Sequence, residues 1–265
     1  DYSVEGSDTE NDFEKTLQRT LNLIDIIRKE NLTSFIVFKP SAVGRFDLYL
    51  KIAENKPLED IEVAEWNRVE DRFDKICAKA EKSSISVLID AEESWIQKPI
   101  DDLTEKLMIK YNKNSCIVYN TIQAYRSDRL EYLTDMHIRL LEYNVKIGIK
   151  LVRGAYMEKE RERAKTNNYK SPICETKTKT DENFNNCMNY IFDNLHDFHL
   201  FIGSHNEKSN ILATKIMGRN KLRNNDGRVW YSQLFGMSDH ISFNLALNGF
   251  NVAKYLPFGP VRDVI

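Results

Sequence analysis

Eight short apolar runs punctuate the chain, and each carries a polar residue at or near its end. They are Tyr2–Gly6, Phe35–Lys39, Ile85–Glu92, Ile117–Gln123, Ile147–Gly154, Leu200–Asn206, Val229–Gly236 and Ala253–Gly259. Such runs are too short for helices and rich in β-formers, so they read as strands. Amphipathic helical stretches separate most of them, which predicts a parallel sheet with helical crossovers. Eight strand–helix units predict an α/β fold of the (β/α)8 TIM-barrel type, in which chemistry gathers at the C-terminal ends of the strands. The chain thereby nominates Glu5, Lys39, Asp90, Gln123, Arg153, His205, Gln233 and Tyr255.

A length of 265 residues suits one barrel domain spanning 1–265. The formal net charge of −2, with basic and acidic residues intermixed, argues against binding nucleic acid by phosphate neutralisation. No apolar run approaches the roughly 18–20 residues of a membrane span, so no transmembrane segment is expected. The opening DYSVEG has neither Met nor a signal pattern, which suggests a piece of a longer chain. Cys77, Cys116, Cys174 and Cys187 form no CxxC pair and are expected as buried thiols in a reducing compartment. No metal site is expected, because no ligand cluster has the required spacing.

Between the strands, Phe13, Leu17, Leu21 and Ile24 mark a first helix, with capping oxygens on Asp8, Thr9 and Asn11. Two helical pieces divided by Lys56–Pro57 fill Arg45–Lys82. AEESWIQKPID is expected to be a loop before a helix carrying Leu103, Leu107 and Met108. Asp128–Tyr143 is a further helix by its spacing. The polar stretch Thr166–Thr180 reads as an excursion leading into a helix at Asn183–Leu195. Asn220–Gly227 is a turn in which Asn-Asp-Gly offers positive-φ positions. After Phe258-Gly259 only PVRDVI follows, so the eighth outer helix is expected to be missing beyond its first turn.

The strand-end residues have definite chemical capacities. Lys39 and Asp90 each follow an apolar strand, and buried charges need partners, so the two are expected to pair across neighbouring strands. Arg153 is always charged and is followed by Gly154, which permits close approach of a ligand or backbone. Ser204, His205 and Asn206 form a polar lip suited to a phosphate or ring nitrogen. His196 and His199 read as structural or surface residues. Neither GxGxxG after the first strand nor GxxxxGK[ST] occurs, so a nucleotide cofactor would be held by barrel loops.

Seven ordered motifs carry a resemblance over essentially the whole chain: FKPSAVGRF, LIDAEESW, YNTIQAYRSD, KLVRGAYMEKERERA, GSHNE, YSQLFGMSDHISF and KYLPFGPVRDVI. Together they resemble the proline dehydrogenase family, in its monofunctional bacterial or mitochondrial branch. The resemblance implies an FAD-bound barrel that oxidises L-proline to Δ1-pyrroline-5-carboxylate and passes electrons to a membrane quinone. It implies a cytoplasmic location, peripheral on the inner membrane, on the matrix side in a eukaryote. It implies catalytic roles for Arg153, Lys39, Asp90 and Tyr255, with Arg153 near the flavin N5 edge. Substrate contacts fall to Lys39, Asp90, Leu234 and Tyr255. Cofactor contacts fall to Asp90, Gln123, Arg153, Gly154, Ala155, Tyr156, Ser204, His205, Asn206 and Gln233. Two departures are Met157, where some relatives carry an aromatic, and the lack of the helix bearing a Tyr and an Arg-Arg pair that grips the carboxylate. The competing readings are a Schiff-base aldolase or lyase using Lys39 or Lys150, and a non-catalytic barrel scaffold.

Overall fold

A computed structural model describes residues 9–257. The expected first strand with Glu5, the stretch from Phe258 and the position of the eighth outer helix lie outside the described residues. The chain divides into two compact units, one formed by the chain up to Asn120 with Pro257 onward, the other by Thr121–Leu256.

In the first unit, α1 (Glu10–Glu30) starts at Thr9, whose hydroxyl accepts the Asp12 N–H at 3.2 Å. Of the three capping oxygens the sequence offered, Thr9 fills the N-cap position. Phe13, Leu17 and Ile24 bury the apolar stripe, and α1 ends at Asn31 in the left-handed region that Asn tolerates. β1 (Phe35–Phe38) and β2 (Ser86–Ile89) run parallel, with Phe38 opposite Ile89. Between them lie α2 (Phe46–Ala53) and α3 (Asp60–Ser83), divided at Lys56–Pro57 as the sequence suggests. A reciprocal Glu59–Glu62 capping box opens α3.

Helix α4 (Ser94–Tyr111) overturns one expectation, since it begins inside the segment read as a loop and contains Pro99. Proline removes one helical hydrogen bond. Two features offset that loss: burial of Ile96 and Ile100, and a staple in which Gln97 Oε1 accepts the Glu92 N–H at 2.8 Å.

The strand β3 (Val118–Gln123) is buried along its whole length. Its first half pairs in parallel with β2, Ile89 opposite Asn120. In the second unit follow β4 (Ile147–Val152), β5 (Phe198–Gly203), β6 (Val229–Leu234) and β7 (Val252–Tyr255). Strand order follows chain order, as the repeated strand–helix pattern predicts. The crossovers carry α5 (Arg129–Leu141), α6 (Met157–Thr166), α7 (Lys177–Asp193), α8 (Glu207–Arg219) and α9 (Asp239–Leu247). These described residues have the α/β, TIM-type barrel topology that the sequence predicts.

Two further expectations shift. Helix α7 starts at Lys177, six residues before Asn183, because Thr176 caps it by accepting the Lys179 N–H. Its first turns look aperiodic because only Phe184, Cys187, Met188, Ile191 and Phe192 are buried. In the turn after α8, the positive φ falls on Lys221 rather than on Asn-Asp-Gly. There the Lys221 and Leu222 N–H groups satisfy carbonyls at the end of α8. All four cysteines are free and buried, as expected.

Candidate active site

In the first unit, the β1–β2 register brings Lys39 and Asp90 out of neighbouring strand ends side by side. The Asp90 N–H donates to Phe38 O at 3.0 Å, extending the pairing one step. Asp90 is buried, and Glu92 and Glu93 behind it are more so. Neither glutamate was singled out by sequence reasoning, although both sit inside the LIDAEESW motif.

The second unit gathers the remaining candidates. Buried Gln123 closes β3. Past it, the Ala124 N–H donates to Val152 O at 2.8 Å and the Tyr125 N–H to Arg153 O at 2.7 Å. This brings the Tyr125 ring onto Gly154, where φ is +125° and an added Cβ would lie 2.4 Å from a ring carbon. Glycine is therefore required here by an approaching ring of the same chain.

Arg153 is fixed on every nitrogen. Its Nε donates to Asp181 at 2.7 Å, one Nη to Ser204 Oγ at 2.8 Å and the other to Ser209 Oγ at 3.0 Å. The guanidinium also lies 4.3 Å from the Phe184 ring centroid. Burial would raise the Asp181 carboxyl, but Lys177 and Arg153 outweigh it and hold its pKa below the usual value. Asn206 caps α8 by accepting the Ser209 N–H at 3.1 Å, and Ser204 Oγ accepts the Asn206 N–H at 3.1 Å. Arg153, Ser204 and Asn206 thus meet at the N-terminus of a 13-residue helix, an end that favours anions.

Gln233 is buried, donating to Ser204 O at 3.1 Å and accepting from Ser242 Oγ at 2.7 Å. His205 is exposed. Its Nδ1 is 2.9 Å from Ser238 Oγ, and its Nε2 accepts the Leu234 N–H at 3.5 Å. Desolvation, then the Lys254 charge, lowers its pKa. Lys254 secures the same connection through Met237 O at 2.8 Å, Ser242 Oγ at 2.8 Å and Asp239 at 2.7 Å. Leu234 stands 38% exposed at its start. Beside Tyr255, the buried Lys150 places its ammonium 4.7 Å from the ring centroid. Lys150 is a candidate that strand-end reasoning put only in the rival lyase reading, because it lies within a run rather than at its close.

After β4, a pocket of about 790 Å³ is lined by Tyr125, Arg153, Tyr156, Lys159, Arg161 and Lys177, with Gly154, Ala155 and Met157 among its other walls. That volume suits a small-molecule or cofactor site. Glu158 and Glu175 also line it, so the four cations exceed the acids by two; with two tyrosine rings, that excess matches a ligand with a planar ring and anionic groups. Two buried polar atoms of this unit, Arg126 Nη1 and Asn210 Oδ1, lack a hydrogen-bond partner within the protein. Among the described residues no group of three or more His, Cys, Asp or Glu could hold a metal. Nor, among them, is any helix long and apolar enough to cross a membrane.

These parallel strands, their order and their helical crossovers define an α/β fold of the TIM-barrel type. The family model of proline dehydrogenase matches residues 1–265, and the chain belongs to that family. It is 36% identical to the carbapenem antibiotics biosynthesis protein CarD of Pectobacterium carotovorum subsp. carotovorum, over 98% of this chain and 67% of that protein. It is 37% identical to the mitochondrial proline dehydrogenase 2 of Arabidopsis thaliana, over 88% of this chain and 49% of that protein. The mitochondrial proline dehydrogenase 1 of Homo sapiens is 32% identical over 93% of this chain and 41% of its own length. The chain thus spans about half the length, or less, of these mitochondrial relatives. Among solved structures, proline utilization A (PutA) from Bdellovibrio bacteriovorus inactivated by N-propargylglycine shares the fold. Its TM-score is 0.84 at 17% identity, over 98% of this chain and 28% of that one.

Proposed function

We propose that this chain is the catalytic barrel of a flavin-dependent proline dehydrogenase, oxidising L-proline to Δ1-pyrroline-5-carboxylate and delivering electrons to a quinone. The observation that carries this reading is the Arg153 cluster. A fully anchored guanidinium, two serine hydroxyls and a helix N-terminus stand next to the aromatic, cationic pocket after β4. That donor set fits FAD, whose pyrophosphate suits the cations and helix end and whose rings suit the tyrosines. When bound, FAD supplies the hydride acceptor. We read 1–265 as one functional domain, active at a membrane surface where a quinone is reached.

In this reading, Arg153, Gly154, Ala155, Tyr156, Ser204, His205, Asn206, Gln123 and Gln233, all of the second unit, hold the cofactor. Arg153 needs no reorganisation to present its charge, because Asp181, Ser204 and Ser209 already fix it. Lys150 adds a second, buried cation on β4 beside Tyr255. Within the first unit Lys39 offers its charge to a carboxylate and Asp90 balances that charge; within the second, Leu234 and Tyr255 offer apolar surface to a ring. Fixing the carboxylate and the ring orients the carbon next to nitrogen for hydride loss. The amine reaches the site neutral by losing its proton to water.

Anaerobic mixing with L-proline tests the proposal. The flavin absorbance of the FAD-loaded protein should bleach, whereas a colourless preparation that FAD cannot reconstitute overturns the reading. Arg153→Met should retain flavin less well and slow its reduction by at least tenfold; unchanged kinetics would contradict the role given to the cluster.

A further inference from the structure

The connection from β6 to α9, residues 234–238, presents Leu234, Phe235 and Met237 to solvent, the last two 65% and 51% exposed. Burial of these side chains therefore does little to hold it in place. It also bends sharply, with φ at +75° on Gly236 and +51° on Ser238. A left-handed residue other than glycine costs free energy, and Ser238 makes no side-chain cap to α9 that would offset it. The restraint comes instead from the strand on either side. After β5, His205 accepts the Leu234 N–H at 3.5 Å and meets Ser238 Oγ at 2.9 Å. On β7, Lys254 gathers four acceptors around one ammonium: Met237 O at 2.8 Å, Leu234 O at 3.4 Å, Ser242 Oγ at 2.8 Å and Asp239 at 2.7 Å. Two of these are carbonyls of the connection itself, and two are side chains of α9.

The register of β6 and β7 sets Leu234 opposite Tyr255 and Gln233 opposite Lys254. Successive side chains of a strand point to opposite faces, so Lys254 does not share the face of Tyr255. Its hold on Leu234 runs through the backbone, where the Phe235 N–H also donates to Tyr255 O at 2.8 Å. We propose that Lys254 is a positioning residue, whose ammonium clamps the carbonyls of Leu234 and Met237 and so keeps Leu234 beside Tyr255 as one apolar wall for a small ring. The inference rests on the reading of Leu234 and Tyr255 as surface offered to a ring, and every group it uses lies in the second unit.

Lys254→Met keeps an unbranched stem and removes the donor. Hydrogen exchange of the purified chain reads the connection directly. Amides of residues 235–241 should exchange about tenfold faster in the variant, the scale of losing charged hydrogen bonds to carbonyls, while β4 and β5 keep their wild-type rates. Asp239→Asn is the companion variant, because its amide oxygen still accepts from Lys254 although the ion pair is lost. It should leave exchange within about twofold of wild type, as loss of a half-exposed ion pair does. Unchanged exchange in Lys254→Met overturns the proposal. So does equal acceleration in both variants, which would put the hold in the ion pair with α9 rather than in the carbonyl contacts.

Flavin reduction by L-proline in the FAD-loaded protein separates positioning from mere support. In Lys254→Met the KM should rise about fivefold with the limiting rate within about twofold, the pattern of binding lost equally from ground and transition states. A lower limiting rate and poorer FAD retention at unchanged KM would make Lys254 a structural support and overturn the proposal. Faster exchange with both kinetic constants unchanged overturns it too, since the connection would then form no wall of the site. If the wild type takes up no FAD, or proline does not bleach it, the reading of the function fails instead. The exchange comparison then still decides whether Lys254 holds the connection.

Discussion

Asp128 shows how one residue can fix a connection. Its carboxylate receives Nε and an Nη from Arg126, at 3.1 and 2.6 Å, and the same pair from Arg129, at 3.0 and 2.7 Å. Burial would raise its pKa, but the two guanidiniums outweigh burial and hold it at about 2, against an ordinary 3.8. A depressed carboxyl contributes stability above its unfolded pKa and loses it as pH falls through the folded value. The contribution is therefore full above about pH 4 and lost towards pH 2. The Asp128 side chain is 44% exposed, so solvent screening reduces the contribution to about 1 kcal/mol. Asp128→Asn should lose that amount at pH 7 and show a shallower decline of stability between pH 4 and 2. Chemical denaturation across that range is the measurement, and parallel curves for the two proteins would refute the assignment.

At the level of elements, α7 does more than cover the sheet. Asn183 on its buried side donates to Ala124 O at 2.9 Å and to Arg126 O at 2.8 Å, anchoring the connection after β3. Asn183→Ala should remove both hydrogen bonds, leaving Arg126 O with the Arg129 N–H at 3.4 Å and Ala124 O with Cys174 Sγ at 3.9 Å, and cost about 2 kcal/mol, together with faster hydrogen exchange in residues 124–129. Unchanged exchange there would mean the anchor is dispensable. The sequence made the strands legible because parallel strands buried on both faces read as continuous apolar runs. Helices α1, α2, α3 and α5 were legible from their stripes. The start of α7 was hidden because its first turns face solvent, and that of α4 because Pro99 imitates a breaker. Among the candidate residues, Lys39 and Asp90 of the first unit and Arg153 of the second were legible since each stands at or near the close of a run. Lys150 falls inside a run. Asp181 and Ser209 lie on helices distant in sequence, and only the fold brings them to Arg153. His137 gave no signal, yet it is buried between Tyr190 at 2.8 Å and Asp197 at 3.1 Å.

Over the whole molecule, the four cysteines act as paired reporters, one pair per unit. Cys77 and Cys116 lie in the first, Cys174 and Cys187 in the second. Reaction with an alkylating agent needs an exposed thiolate. Cys77 is fully buried, and desolvation pushes its thiol far above the normal range. Burial likewise raises Cys187 to about 12 and lifts Cys174. Labelling of Cys77 and Cys187 should thus await opening of their own units, with rates set by the opening free energy. Cys174 differs, because it lines the pocket after β4 and is 8% exposed. It should be alkylated first, and loading with FAD should slow it severalfold while leaving Cys77 unchanged. Pulsed alkylation with mass spectrometry in increasing denaturant measures all four at once. If Cys77 labels in the native protein as fast as Cys174, the core assigned to the first unit is wrong. If FAD protects Cys77 and Cys174 equally, the cofactor acts on stability in general and the pocket after β4 loses its claim to hold it.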